Sequence, residues 1–462
     1  MQEPKDRQTH NASSDTDSPF GKAIAQMADV GMKPGMEVIF ELLRQLGNPH
    51  EKYAVIHVAG TNGKGSVCAM LAHALREAGI STGLYTSPHM MYYNERFLLN
   101  GEMISDDSLF AILMDVERAV DETERQLGQR PKEFEILTAM AFLWFFREGV
   151  EVLILETGMG GRFDATNVVA KPLLTVITNV ALDHEAYLGD TIAKIAWEKA
   201  GIIKAGTALI TACDDRDALD VIDQEFMTVQ ANEPATPLMC VLDECQWETQ
   251  SLGLSGQEVN LVTPGHTYPQ LYIPLPGKYQ CANLACVVLA WEFLATQEAL
   301  AAEDRMTTEA LRKGLASVGW PCRLEQVQES PTVVLDGSHN PDGIRQMALW
   351  LTTHQGRYDK TILVMGMLED KDRLAAAGQL DGLAAHVIIT KPISDRAGRW
   401  QDLAGALANT PSENIEFIEN CHEAVKTAID MAGEKDLVLC TGSLYLVGEL
   451  RKNWKGKALF SR

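Results

Sequence analysis

Val55-Ile56-His57-Val58-Ala59-Gly60-Thr61-Asn62-Gly63-Lys64-Gly65-Ser66 runs directly into Val67-Cys68-Ala69-Met70-Leu71-Ala72-His73-Ala74-Leu75. A mainly apolar strand leads into a turn too rich in glycine to carry side chains, and a helix opens at once. Several backbone N–H groups therefore converge beside the positive end of a helix, which makes a phosphate cradle. Lys64 adds a compact positive charge for the β- and γ-phosphates, and Ser66 or Thr61 offers a hydroxyl to a magnesium ion. The stretch predicts a nucleoside triphosphate site. It departs from the common phosphate-loop pattern, since Val58 stands where a first glycine is expected and Gly65 separates Lys64 from the hydroxyl residue. A bare strand-to-helix turn would explain the glycines but not a lysine set among three of them.

At 462 residues the chain is long for one core, so two or three domains are expected. A hydrophobic share of 46% and a charged share of 22% are those of a globular protein. The formal net charge of -23 argues against binding nucleic acid or an anionic membrane. It leaves room for an anionic substrate in a local cradle. Nine cysteines occur without a Cys-x-x-Cys pair, and Cys68, Cys286 and Cys440 lie in apolar runs, which predicts a reducing compartment. No apolar segment of signal-peptide or membrane-spanning length is present, so a cytoplasmic, soluble protein is expected.

Working outward, residues 1–18 are polar and predict a mobile tail, and a helix opened by Pro34 carries Val38, Ile39, Leu42, Leu43 and Leu46 before Gly47. Beyond the cradle, Gly83-Leu84-Tyr85-Thr86-Ser87-Pro88-His89 is a strand ending in a polar turn, which spacing alone reads as only a turn. Helices over 105–126 and 135–148 follow, and the stripe Phe142-Leu143-Trp144-Phe145-Phe146 reads as core. The strand Val152-Leu153-Ile154-Leu155 ends in Glu156, a carboxylate that is costly there unless it meets a cation or hydrogen bonds. Another strand, 173–178, leads to Asn179, Asp183 and His184. Alone, His184 reads as structural; with Glu156 and the cradle at neighbouring strand ends, it reads as a metal ligand. Lys199 lies on a helix from Thr191 to Ile203 whose plain reading is amphipathic with solvated lysines. A long helix is capped by Gly277 to Asn283, and another covers 307–317. The domain boundary is placed near Ser317 to Arg323, because strands each followed by a helical pattern begin beyond it and carry Asp336, His339 and Ser443 at strand ends. The expected units are thus a tail 1–18, an ATP-binding domain 19–318 and a C-terminal domain 319–462.

The wording Gly-Thr-Asn-Gly-Lys-Gly-Ser, with the motifs spread from His57 to Tyr445, resembles the Mur ligase superfamily, and within it the folylpolyglutamate synthase and dihydrofolate synthase branch. The resemblance implies an α/β fold: an N-terminal P-loop ATP-binding domain with a mainly parallel sheet, a small antiparallel sheet beside it, and a smaller C-terminal Rossmann-like domain that binds glutamate. It implies ATP and two magnesium ions. Gly60 to Ser66 with Lys64 would hold the phosphates, Ser66, Ser87 and Glu156 one ion, and His184 a second, with Lys199 as a carbamate beside it. Asn283 and Arg323 would contact the nucleotide and its phosphates, and Asp336 its ribose. His339 and Ser443 would meet incoming glutamate; His89 and Arg96 lie in the loop matching the pterin side, and Asp164 and Thr166 are further substrate candidates. Tyr279 departs from the family, which often has His before Gln280, and the polar tail is extra.

The implied reaction adds L-glutamate to the γ-carboxylate of a folate, with small-molecule partners only and a monomer expected. ATP is needed because a carboxylate is a poor acyl donor until phosphorylated. Three rivals compete. A cell-wall Mur ligase would need a uridine-nucleotide domain ahead of the cradle, where only about 50 residues stand. A nucleotide switch would not explain Glu156, His184 and Asp336 together. Dihydrofolate synthase activity, alone or in a bifunctional enzyme, is the closest alternative.

Overall fold

The computed structural model describes residues 18–29, 35–234, 236–301 and 305–455. The strand before the glycine loop is Ala54–Ala59 (β1). Its Ile56 and Val58 pack with Val67, Met70 and Leu71 in one apolar layer, while Val55 packs with Phe142 and Phe145 in the opposite one. Burial on both faces is what a central parallel strand requires, and it accounts for the unbroken apolar runs. The same sheet contains Thr82–Tyr85 (β2), Phe97–Leu99 (β3), Glu102–Met103 (β4), Val152–Glu156 (β5), Leu174–Ile177 (β6), Leu209–Thr211 (β7) and Leu238–Cys240 (β8). Its order is β4-β3-β2-β5-β1-β6-β7-β8, parallel except where β3 and β4 turn back at one edge.

Helices Pro19–Met27 (α1), Glu37–Gln45 (α2), Asp106–Leu127 (α4) and Glu133–Arg147 (α5) supply the layer that holds Phe142 and Phe145. The opposite layer is built by Lys64–Glu77 (α3) and by the helices Tyr279–Ala295 and Thr308–Ala316. Glu185–Leu188 (α6), Ile192–Ala200 (α7) and Arg216–Gln230 (α8) flank β6 and β7. Beside this body stands an antiparallel sheet of Gln246–Ser251 (β9), Gln257–Val262 (β10) and Thr267–Ile273 (β11).

The third sheet runs β12-β13-β17-β14-β15-β16, from Glu325–Gln328 (β12), Thr332–Leu335 (β13), Thr361–Met365 (β14), His386–Thr390 (β15), Ile415–Ile418 (β16) and Leu437–Thr441 (β17). Only β12 is antiparallel. Val334, Leu363 and Leu439 face one apolar layer, and Val333, Ile362 and Val438 face the other.

Several details differ from the sequence reading. Helix α1 was not expected, although Ser18 caps it by accepting from Gly21 N at 2.9 Å and Pro19 occupies its first turn. Pro34 and residues 1–17 of the expected tail lie outside the described residues. After β15 the chain forms short 3₁₀ turns at Asp395–Ala397 and Trp400–Ala406 where a helix was expected. Strands β12 and β16 lie at the edges and carry too little apolar periodicity to announce themselves.

Candidate active site

Four neighbouring parallel strands, β2, β5, β1 and β6, deliver Ser87, Glu156, the glycine loop and His184 from their carboxyl ends, where open α/β sheets bind ligands. The loop itself is tied to the end of β6. Thr61 N donates to Asn179 O at 2.8 Å, Asn62 N to Asn179 Oδ1 at 2.6 Å, and Thr178 Oγ1 to Asn62 O at 2.6 Å. Gly60 has φ 151°, and a Cβ there would lie 1.9 Å from Thr178 Oγ1, so only glycine fits. Helix geometry leaves the N–H groups of Lys64, Gly65 and Ser66 without i−4 carbonyls, free to meet a phosphate. Lys64 Nζ donates to Gly60 O at 2.9 Å and Thr61 O at 3.2 Å. Of the two hydroxyls considered, that of Thr61 is engaged with Ala181 N and O, both at 3.0 Å. Among the described residues Ser66 Oγ accepts from Gln280 Nε2 at 3.2 Å, and Gln280 is braced in turn by Asn283 at 2.8 Å. The Trp320 indole lies over Gly65, where a Cβ would come within 2.7 Å of it.

Glu156 is buried, and desolvation raises its pKa against the opposing pull of Lys64. Ser87 donates its N–H to Glu156 Oε2 at 3.3 Å, while Ser87 Oγ is buried without a hydrogen-bond partner among the described residues. An orphaned hydroxyl beside a buried carboxylate suits a hard cation. The loop beyond Ser87 is organised by Glu95, which accepts from Met90, Met91 and Tyr92 N, each at 2.7 Å. Within it Arg96 Nε donates to His89 Nδ1 at 2.8 Å, which places the His89 proton on Nε2.

His184 adopts φ 53°, in the left-handed region, and burial followed by Lys371 depresses its pKa to about 4. Lys199 differs from the solvated reading: it is buried, whereas Lys194 on the same helix pairs with Asp190 in solvent. Burial, then Lys64, lowers the Lys199 pKa to about 7. Asp164 accepts from Met159 N at 2.8 Å and from Thr166 Oγ1 at 2.5 Å. Thr166 is fully buried, and its hydroxyl also meets His57 Nε2 at 2.9 Å, so it braces this loop from inside and shows no face to a substrate.

Across the cleft, β13, β17 and β14 are neighbours, and their ends carry His339, Ser443 and Lys371. Arg323 sits between Cys322 at φ 56° and Leu324 at φ 49°, a strained link. It is held because Leu324 N donates to Asp336 Oδ2 and Cys322 N to Glu325 Oε2, both at 3.0 Å. Asp336 Oδ1 also accepts from Ser338 N at 3.0 Å, so this carboxylate shapes the loop as well as facing the cleft end. His339 Nδ1 is 2.9 Å from Gly337 O, and burial followed by Lys371 lowers its pKa to about 4. Its Nε2 therefore carries a lone pair at neutral pH. Ser443 Oγ is buried without a partner among the described residues. No group of three His, Cys, Asp or Glu side chains suited to a metal occurs among the described residues.

Residues 58–291 match the family described as Mur ligase middle domain, and 322–444 match Mur ligase, glutamate ligase domain. A dihydrofolate synthase/folylpolyglutamate synthase of Bacillus subtilis is 38% identical over 92% of this chain and 96% of its own length. The chain belongs to the folylpolyglutamate and dihydrofolate synthase family of Mur ligases. Among solved Mur ligases of this family, the folylpolyglutamate synthase of Mycobacterium tuberculosis, complexed with ADP and AMPPCP, has TM-score 0.84 and 30% identity over 94% of this chain and 99% of that one. Escherichia coli FolC in complex with DHPP and ADP has TM-score 0.81 and 25% identity over 96% and 98%.

For this Mur ligase, Gln280, Trp320, Asn340 and Lys371 were missed by the sequence reading. Lys371 stands in Glu369-Asp370-Lys371-Asp372 just past β14, so its place at a strand end was the available signal. Trp320 and Gln280 contact the loop only through the tertiary fold.

Proposed function

We propose that this chain is an ATP-dependent, ADP-forming ligase that adds L-glutamate to the γ-carboxylate of tetrahydrofolate or its polyglutamates through an acyl phosphate. The observation that carries this reading is that two sets of strand ends meet: the glycine loop, Asp183 and His184 of the first sheet bond to Asn340 and Lys371, which stand beside His339 and at the end of β14 in the third. The loop N–H groups and Lys64 hold the ATP phosphates, with Asn283 and Arg323 completing the nucleotide pocket and Asp336 at its ribose. His89 and Arg96 lie on the folate side. His339, neutral and with a free Nε2 lone pair, accepts a hydrogen bond from the glutamate amine, and Ser443 donates to a carboxylate. The amine attacks the acyl phosphate and phosphate leaves, while the closed cleft keeps water from the reactive intermediate.

Ser66, Ser87 and Glu156 fit one magnesium ion, which supplies charge neutralisation for the transferring phosphoryl group when bound. His184 and Lys199 would hold a second. The Lys199 amine, with its pKa near 7, is substantially neutral at physiological pH and can add CO₂, forming an N–C bond and releasing one proton, to give an anionic carbamate. Lys199→Ala is expected to lose most turnover, with part restored by formate or acetate; crystal density ending at the lysine nitrogen together with a fully active variant would return Lys199 to a structural role. All nine cysteines are unpaired, which fits a reducing cytoplasm, and among the described residues no helix is long and apolar enough to cross a membrane.

ADP release should require both glutamate and a pterin acceptor; equal release without either refutes the ligase. Running the assay with dihydropteroate as acceptor tests dihydrofolate synthase activity, a second reading favoured by the double name of the Bacillus relative and the DHPP in FolC.

A further inference from the structure

Lys371 reaches across the cleft from the loop after β14. Its ammonium lies 2.6 Å from Asp183 Oδ1 and 3.3 Å from His184 Nε2. The Lys371 and Asp183 side chains are only 8% and 9% exposed. Further bonds run parallel to this pair. Asn340 Nδ2 donates to Asp183 Oδ2 at 2.9 Å, and the amides of Asn62 and Asn340 pair reciprocally at 3.3 and 3.1 Å. Asp342 Oδ2 accepts from Asn62 at 2.9 Å and from Asn179 at 3.1 Å. Each bond joins loops of the first sheet to the loop after β14 or to the start of the helix Pro341–His354 after β13, and Asn62 belongs to the phosphate loop itself.

We propose that Lys371 and Asp183 form a clasp that holds the two domains closed over the cleft and fixes the ring of His184, which makes Lys371 a positioning residue. A buried ion pair yields little net stability, because desolvation offsets most of the Coulomb attraction. Within one rigid domain such a pair would be a poor investment. Between two domains the same balance is useful, since both ends return to water on opening and the clasp can release and re-form. Lys371 donating to Nε2 also places the His184 proton on Nδ1.

The test uses the full chain without nucleotide. Small-angle scattering should give a larger radius of gyration for Lys371→Met and for Asp183→Asn, and the double variant should open no further than either alone. Asp183→Asn is isosteric and keeps an acceptor for Asn340, so it reports even where Lys371→Met does not fold. Scattering identical to wild type in a folded variant overturns the clasp, as does failure of both variants to fold, which would make the pair structural. The kinetic arm rests on the ligase reading: KM for glutamate should rise about tenfold as the closed population falls, with affinity for a non-hydrolysable ATP analogue within about twofold of wild type. Unchanged KM with an open scattering profile would overturn the positioning role. A wild-type protein inactive with glutamate would instead refute the ligase and leave the scattering result standing.

Discussion

Glu156 ends a fully buried strand with a carboxylate whose proton affinity is raised by desolvation. Ionised without a partner cation, such a group opposes folding at any pH above its ordinary pKa. Glu156→Gln keeps the shape and removes that cost, so the melting temperature is expected to hold or to rise by the equivalent of about 1 kcal/mol. Turnover should fall by roughly 10²-fold or more. Early melting with unchanged turnover per folded molecule would make the residue structural. His57, on the strand before the phosphate loop, gives a pH test. Burial, and secondarily Lys204, presses its pKa to about 3 from an ordinary 6.5. As pH falls the unfolded chain takes up this proton first, so the His57 contribution to stability is complete above about pH 6.5 and drains away between 6.5 and 3. His57→Gln should flatten that acid limb in urea titrations; parallel limbs would show that other groups dominate it.

The loop from Ser87 to Arg96 depends on one carboxylate. Glu95→Ala would remove the acceptor of two buried N–H donors, at Met90 and Met91, and of the half-buried one at Tyr92, a loss on the order of 3 kcal/mol. Hydrogen exchange at these amides should accelerate before the rest of the chain opens; uniform protection would refute the local role. This element also shows what could be read beforehand. Strands buried on both faces, the glycine loop and the carboxylate closing β5 were legible, because each breaks or obeys a local rule strongly. Helix α1 carries a Ser18-Pro19 start signal, but it begins where the expected polar tail ends and its nine residues give too short a pattern to stand out. The burial of Lys199 was not legible, since a nine-residue helix with two lysines looks solvated until α8 and the loop at Arg162 pack over it. The inward turn of Thr166 was hidden for the same reason: Asp164 is its neighbour in the chain, but His57 reaches it only through the tertiary fold.

At the scale of the molecule, the domains also touch through an apolar contact away from the clasp. Met90 and Met91 enter the core layer that holds Leu446, Val447 and Leu450 of the last helix, Leu444–Lys455. Gly448 makes this possible, since a Cβ there would lie 2.9 Å from Met90 Cβ and 3.1 Å from its carbonyl oxygen. Gly448→Leu should therefore displace the loop and cost about 1–3 kcal/mol of stability, with KM for the folate acceptor rising more than KM for ATP. A variant with wild-type melting and both KM values unchanged would show that the loop does not need this seat. The indole resting on Gly65 carries a different consequence. Trp320 belongs to the stretch joining the domains yet lies against the glycine between Lys64 and Ser66. The molecule thus holds its own fluorophore at the phosphate loop, and the emission lost in Trp320→Phe isolates an optical signal that follows nucleotide arrival without any attached dye.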